Sequence, residues 1–222
     1  MMEGMIVIRC GSAPVPTIPG EHPRVDCGEA PTKDEVNQVL REIGTRRRLL
    51  VCGNDRSLAA LLTRLMRTEN LDVEIAYVPE DETPATRGYA LPTGTAAAKL
   101  GVRGEAREVP LIRDETGTVL VGEATATGPG GGPLVGEAYA DDERVFSGEI
   151  DALTVRPTRD LPGVAATPAR ARRLRRRRWI RARAVQLGTE GGIITRDGVT
   201  GRRAVKRTSF YRHTEPWRLV SP

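Results

Sequence analysis

Within these 222 residues, Leu49-Leu50-Val51-Cys52-Gly53-Asn54-Asp55-Arg56-Ser57-Leu58 is the stretch whose residue types point most directly to chemistry. An apolar run stops at a glycine, turns through a short amide and a short acid, and enters a pattern with Leu58, Leu61, Leu62, Leu65 and Met66 on one helical face. Strand, tight turn and helix in that order set backbone N–H groups and a carboxylate at the carboxyl edge of a parallel sheet, where ligands of open α/β sheets bind. The plainer reading of the same spacing is an ordinary helix start with Asp55 as its N-cap. A second segment, Pro92-Thr93-Gly94-Thr95, precedes an alanine-rich helix and reads either as a backbone contact for a ligand or as a turn with a threonine cap. A third, Asp197-Gly198, is a hairpin signal that also offers a carboxylate able to take a proton.

Other reactive residues carry less. Cys10, Cys27 and Cys52 each close a predicted strand, which places them near one another at the sheet edge. They form no CxxC, and with only His22 nearby they read as small core thiols rather than a metal site. His213 lies beside Phe210 and Tyr211 and reads as a packed or hydrogen-bonded side chain. No Ser-His-Asp or metal-ligand spacing is present. Gly128-Pro129-Gly130-Gly131-Gly132-Pro133 lacks the Gly-Lys-Ser/Thr ending of a P-loop and is assigned no phosphate role.

Charge adds a separate signal. The net charge is +5, but nine arginines fall between Arg170 and Arg183, a density that points to phosphate, an anionic lipid surface or nucleic acid. A solvated segment is the bland alternative, and one Trp179 with no binding motif is thin support for nucleic acid. In Trp179–Val185 the arginines alternate with apolar residues, so part of the patch belongs on one strand face. No apolar run spans a membrane, and the first residues lack the basic region and apolar core of a signal peptide, so the expected location is the cytoplasm.

Positioning these residues requires two kinds of structure. Met5–Arg9 and Arg24–Cys27 read as parallel strands joined by a proline-rich loop where a helical crossover is usual. Thr32-Lys33-Asp34-Glu35 is a capping box ahead of Val36, Val39, Leu40 and Ile43, with Gly44 as the stop. Val73–Tyr77 alternates as a strand, Glu80–Arg87 reads as a polar loop, and Tyr89–Leu91 as another strand. From about Glu105 strands follow one another without helices, starting with a hairpin across Asp114–Gly117. Residues 1–104 are therefore expected to form an α/β lobe and residues 105–222 an antiparallel sandwich, with a cleft between.

In that order the motifs resemble the diacylglycerol kinase catalytic-domain family, the bacterial lipid kinases related to sphingosine kinases and, more distantly, to NAD kinases. Gly53-Asn54-Asp55-Arg56-Ser57-Leu58 is similar to the family's Gly-Gly-Asp-Gly-Thr-Leu, and Pro92–Thr95 with Ala98-Lys99-Leu100-Gly101 to its Pro-x-Gly-Thr segment. Ala184–Leu187 leading to Asp197-Gly198 is similar to the late strand and Asp-Gly-Glu turn, and Val205–His213 to the closing segment of actinobacterial members.

The resemblance implies a Rossmann-like nucleotide lobe, a β-sandwich substrate lobe and an ATP-dependent lipid phosphotransferase at the inner membrane face. It implies that Gly53, Asn54, Asp55, Arg56 and Ser57 form the phosphate turn, with Asp55 also helping to hold Mg2+. Gly94 and Thr95 would make the second nucleotide contact, and Asp197 would be the base that takes the acceptor hydroxyl proton. The implied partners are nucleotide and, through Arg170–Arg183, an anionic membrane surface or lipid substrate; a homodimer is compatible with it. Several residues depart from the pattern: Asn54 and Arg56 replace glycines, Ala96, Ala97 and Ala98 replace an Asn-Asp pair, and Val199 stands where a glutamate is usual. Losing several polar groups at once threatens the rate of phosphoryl transfer far more than the fold. The alternative is a non-catalytic relative that keeps the fold and binds nucleotide or a partner.

Overall fold

A strand buried on both faces needs apolar residues at successive positions, and the N-terminal strands have them. The computed structural model describes residues 4–43, 48–169 and 178–222. They divide into two units, Met1–Val109 with Glu215–Pro222, and Pro110–Thr214. The expected boundary at 104/105 therefore shifts to Val109/Pro110, and the last strand returns to the first unit.

The first unit contains β1 (Met5–Cys10), β2 (Arg24–Cys27), α1 (Lys33–Ile43), β3 (Arg48–Cys52), α2 (Asp55–Arg67), β4 (Glu74–Val78), α3 (Pro84–Tyr89), α4 (Gly94–Arg103) and β5 (Glu105–Val109). Its sheet runs β2-β1-β3-β4, then the terminal strand Trp217–Ser221, then β5. All neighbours are parallel except the terminal strand with β5. Met5, Val7, Leu50, Cys52, Ala76 and Val78 face α4, where they cluster with Ala97, Ala98 and Val102. The alternate residues Ile6, Ile8, Leu49 and Val51 point to the other face and are fully buried, as are Leu58, Leu61, Leu62 and Leu65 of α2. Each such side chain contributes about 1.5–3 kcal/mol by leaving water.

The helix-free crossover between β1 and β2 has a physical explanation. Ala13, Val15 and Ile18 of the proline-rich loop pack against the α4-side cluster and supply apolar cover that a helix would otherwise give. The Thr32 capping box forms as expected, with Thr32 N donating to Glu35 Oε2 at 2.7 Å and Glu35 N to Thr32 Oγ1 at 3.4 Å. The Gly44 stop lies outside the described residues.

The reading of residues 80–91 needs correction. Pro84–Tyr89 is a helix, not loop and strand. Thr83 caps it by accepting from Thr86 N at 3.1 Å, Pro84 opens it, and Ala90 closes it in the left-handed conformation. Tyr89 is buried because its ring meets Trp217 of the terminal strand edge-on, centroids 5.6 Å apart.

The second unit is antiparallel throughout: β6 (Ile112–Asp114), β7 (Val119–Leu120), β8 (Ala124–Thr127), β9 (Leu134–Ala140), β10 (Glu143–Ile150), β11 (Ala152–Pro157), β12 (Val164–Ala169), β13 (Ile180–Ala182), β14 (Ala184–Arg196), β15 (Val199–Thr200) and β16 (Val205–Arg212). The long β14 organises it. Its first half pairs with β9 and β16, and after the irregularity between Gly188 and Gly192 its second half pairs with β8. A strand that changes partners at glycines is how sandwich layers are joined at a corner. One core cluster draws on both sets of strands, including Leu134, Ala138 and Val185 from one and Ala126, Leu153 and Val164 from the other. The fold class is thus α/β followed by an antiparallel β-sandwich, as the sequence leads one to expect.

Candidate functional site

Cys52 of β3 pairs with Val78 of β4, so Gly53 and Pro79 are the next residues along neighbouring strands. Gly94 N donates to Pro79 O at 2.7 Å, which draws the Pro92–Thr95 segment to the same carboxyl edge. Gly94 has φ +54°, a left-handed conformation that glycine adopts without strain. Thr93, the residue before it, makes no side-chain cap. The first-unit residues singled out by their types are therefore gathered at one sheet edge. Asp197 lies in the other unit.

The turn itself is closed by its own neighbourhood. Asn54, not Asp55, is the N-cap of α2: its Oδ1 accepts from Ser57 N at 3.0 Å, and Ser57 Oγ answers to Asn54 N at 3.4 Å. Ser57 Oγ also donates to the Glu29 carbonyl at 2.6 Å. The Glu29 carboxylate then accepts from Asn54 Nδ2 at 3.2 Å and from Arg56 Nη1 at 3.1 Å. An internal acid thus bonds the side chains that the resemblance reserves for phosphate. Gly53 is needed for close packing: a Cβ there would lie 2.8 Å from Ser57 Cβ and 3.0 Å from Cys10 Cβ.

Asp55 is turned inward. Only 6% of it is exposed; Oδ1 accepts from Tyr77 OH at 2.8 Å and Oδ2 from Ala85 N, in the first turn of α3, at 3.0 Å. Asp197 behaves alike in the second unit. It occupies the turn between β14 and β15 with φ +44°, followed by Gly198 at +79°, the left-handed pair that a two-residue hairpin requires. Its carboxylate accepts from Val121 N at 3.1 Å and Gly122 N at 2.7 Å. Val199 enters β15 opposite Arg196 and is 44% exposed.

These arrangements do not fit a nucleotide–magnesium complex as the resemblance places it. Both oxygens of Asp55 already hold protein donors, and the residue is only 6% exposed. Glu29, Tyr77 and the Thr83 cap were not found by reading the sequence. Thr83-Pro84 followed by Thr86 was an available signal for a helix start. Glu29 gave none, because its contacts cross from the end of one strand to the turn after another.

Two further expectations can be placed. Cys27, Cys10 and Cys52 do end β2, β1 and β3, adjacent strands of one sheet, and all are buried. Burial pushes the Cys10 thiol up to about 12 and those of Cys27 and Cys52 to about 11, so they stay protonated near neutrality. Of the arginine run, residues 170–177 lie outside the described residues. Arg181 and Arg183 are exposed and flank the buried Ala182, which puts them on one face.

No family model matches the chain, and no curated protein matches it. Solved structures do. A diacylglycerol kinase from Bacillus anthracis str. Sterne aligns with 99% of this chain and 97% of its own, at TM-score 0.69 and 10% identity. An NAD kinase from Archaeoglobus fulgidus in complex with ATP aligns over 98% and 93%, at TM-score 0.56 and 12% identity. Yeast NADH kinase complexed with NADH aligns over 99% and 83%, at TM-score 0.55 and 10% identity. With its parallel α/β unit, its antiparallel second unit and these neighbours, the chain has the fold shared by diacylglycerol kinases and NAD kinases.

Proposed function

We propose that this chain is a diacylglycerol kinase-like protein in which phosphoryl transfer from ATP to a lipid hydroxyl is weakened or lost. In this reading the two-unit fold is retained for binding nucleotide or a partner. The observation that carries it is the closure of the Gly53–Ser57 turn by Glu29. Fold similarity over nearly the whole chain supports descent from kinases of this type. The inward ties of Asp55 and Asp197 support the loss, since an acid held by two donors is poorly placed to take a substrate proton.

The test incubates the purified protein with magnesium, γ-labelled ATP and mixed lipids that include diacylglycerol. Labelled phospholipid is expected to stay at the level of a protein-free control. Label that grows with protein and disappears in Asp55→Asn would overturn the loss and establish an active lipid kinase. An ATP-induced rise in melting temperature without turnover would identify the retained role as nucleotide binding.

Location at the inner membrane face belongs to the same reading, with the arginine-rich segment as the contact. Basic residues near an anionic surface contribute about 1 kcal/mol each. Among the described residues no helix is long and apolar enough to cross a membrane, so such an association would be peripheral. Co-flotation with anionic vesicles that weakens as salt rises is the expected result; flotation indifferent to lipid charge would refute it.

A further inference from the structure

The outward face of β9, β14 and β16 carries a groove that the kinase reading does not use. Register places Glu137, Gly188 and Arg207 in one row across the three strands, and Tyr139, Gln186 and Ser209 in the next. Side chains in such rows share a face. Because Gly188 has none, Glu137 and Arg207 stand on either side of an empty place. They are two strand spacings apart, about 10 Å between backbones, and among the described residues no ion pair joins them. Two depressions follow, of about 570 and 630 Å3, both lined by Gln186 and Ser209. Each is of the size that takes a small polar molecule.

The charges around this groove are only partly matched by the protein. Glu115 is spoken for by Thr208 Oγ1 and Ser209 N, and Asp141 by the backbone N–H groups of Arg183 and Ala184. Among the described residues Glu137 receives only a long bond, 3.4 Å, from Tyr139 OH. Arg207 lines one depression and Arg183 the other, and neither guanidinium has a hydrogen-bond or ion-pair partner among the described residues. What remains in the first depression is one carboxylate able to accept from hydroxyls and one guanidinium able to hold an oxyanion, either side of a floor of glycine, amide and hydroxyl.

We infer that this groove is a binding site for a phosphorylated polyol, such as a sugar phosphate or the phosphopolyol headgroup of a lipid. The hydroxyls donate to Glu137 over Gly188, and the phosphate accepts from Arg207. This inference does not depend on phosphoryl transfer or on the Gly53–Ser57 turn.

Inositol 1-phosphate and glycerol 3-phosphate are titrated into the full chain by calorimetry, beside inositol and inorganic phosphate. Both phosphopolyols are expected to bind, at least about tenfold tighter than inositol, since a hydrogen bond between charged groups is worth about 1.5–3 kcal/mol. A Cβ at Gly188 meets nothing within 4 Å, which leaves open space for the side chain of Gly188→Val to fill the floor. It is expected to abolish binding, and Arg207→Gln to weaken it about tenfold, with melting temperatures unchanged. Flotation with phosphatidylinositol vesicles, compared with phosphatidylserine vesicles of equal charge, separates the two sources. Preference for the former that is lost in Gly188→Val assigns a lipid headgroup; binding of the free compounds alone assigns a soluble phosphopolyol. No binding in either arm, binding unaffected by both substitutions, or inorganic phosphate binding as tightly as the phosphopolyols would overturn the inference.

Discussion

Asp55 and Asp197 lie in different units and in unlike turns, one opening a helix and one reversing a hairpin. Each nevertheless ends in a carboxylate aimed into the protein and held by two donors. The donors differ. Asp55 joins the hydroxyl of a β4 tyrosine to the start of α3, so it ties three elements at one sheet edge. Asp197 holds two consecutive backbone N–H groups just beyond β7, a local clasp between a turn and a neighbouring strand end. Both acids that the resemblance singles out accept hydrogen bonds from the protein itself, and the wider the set of elements joined, the more stability should depend on the acid.

That ranking can be broken by mutation. Asp55→Ala removes the carboxylate that accepts from the Tyr77 hydroxyl and the Ala85 N–H and is expected to cost about 3 kcal/mol in urea unfolding. Asp197→Ala should cost about 2 kcal/mol, with Asp197→Asn milder, since asparagine tolerates the positive φ and keeps one acceptor oxygen. Equal losses, or the reverse order, would mean that the number of elements joined is irrelevant. Gly53→Ala should cost about 1–2 kcal/mol through its clash with Ser57, which a turn merely left open for a ligand would not show.

Glu29→Ala sharpens the comparison differently. Its ion pair with Arg56 is exposed, 44% for the arginine and 57% for the acid, so stability should change by less than about 1 kcal/mol. The freed turn is then expected to show an ATP-induced thermal shift larger than that of the parent protein. No gain would mean that Glu29 is not what excludes phosphate.

The smallest effect concerns acid. Donation by the Thr32 N–H, then the Thr32 hydroxyl and the Gly28 N–H, holds the Glu35 carboxyl below its usual range. A depressed carboxylate stabilises the fold above its unfolded pKa, and that contribution is lost as pH falls through the folded value. Glu35→Gln should therefore lower stability slightly at neutrality and flatten the decline below about pH 4.

Local chemistry was readable in the sequence wherever the cause was local. The Thr32 box, the continuous apolar runs of β1 and β3, and the Asp197-Gly198 reversal all depend on residues a few places apart. The helix at Pro84–Tyr89 was hidden by its polar approach and by a glycine inside it, although its cap was written in Thr83 and Pro84. The closure of the turn was not readable, because Glu29 acts across two strands and nothing near it in sequence marks its partners. Gly53 shows the limit clearly: a glycine that a phosphate would require and a glycine that Ser57 and Cys10 require look the same in one dimension.

The terminal strand has a consequence for how the molecule is made. It fills the place between β4 and β5, and β5 has no other partner in the sheet. On the ribosome the residues of the second unit emerge as one uninterrupted length and can close their own core first. The α/β unit must wait with two unpaired strand edges until Trp217–Ser221 has emerged, so newly made chains are most exposed to misassociation before that strand is available.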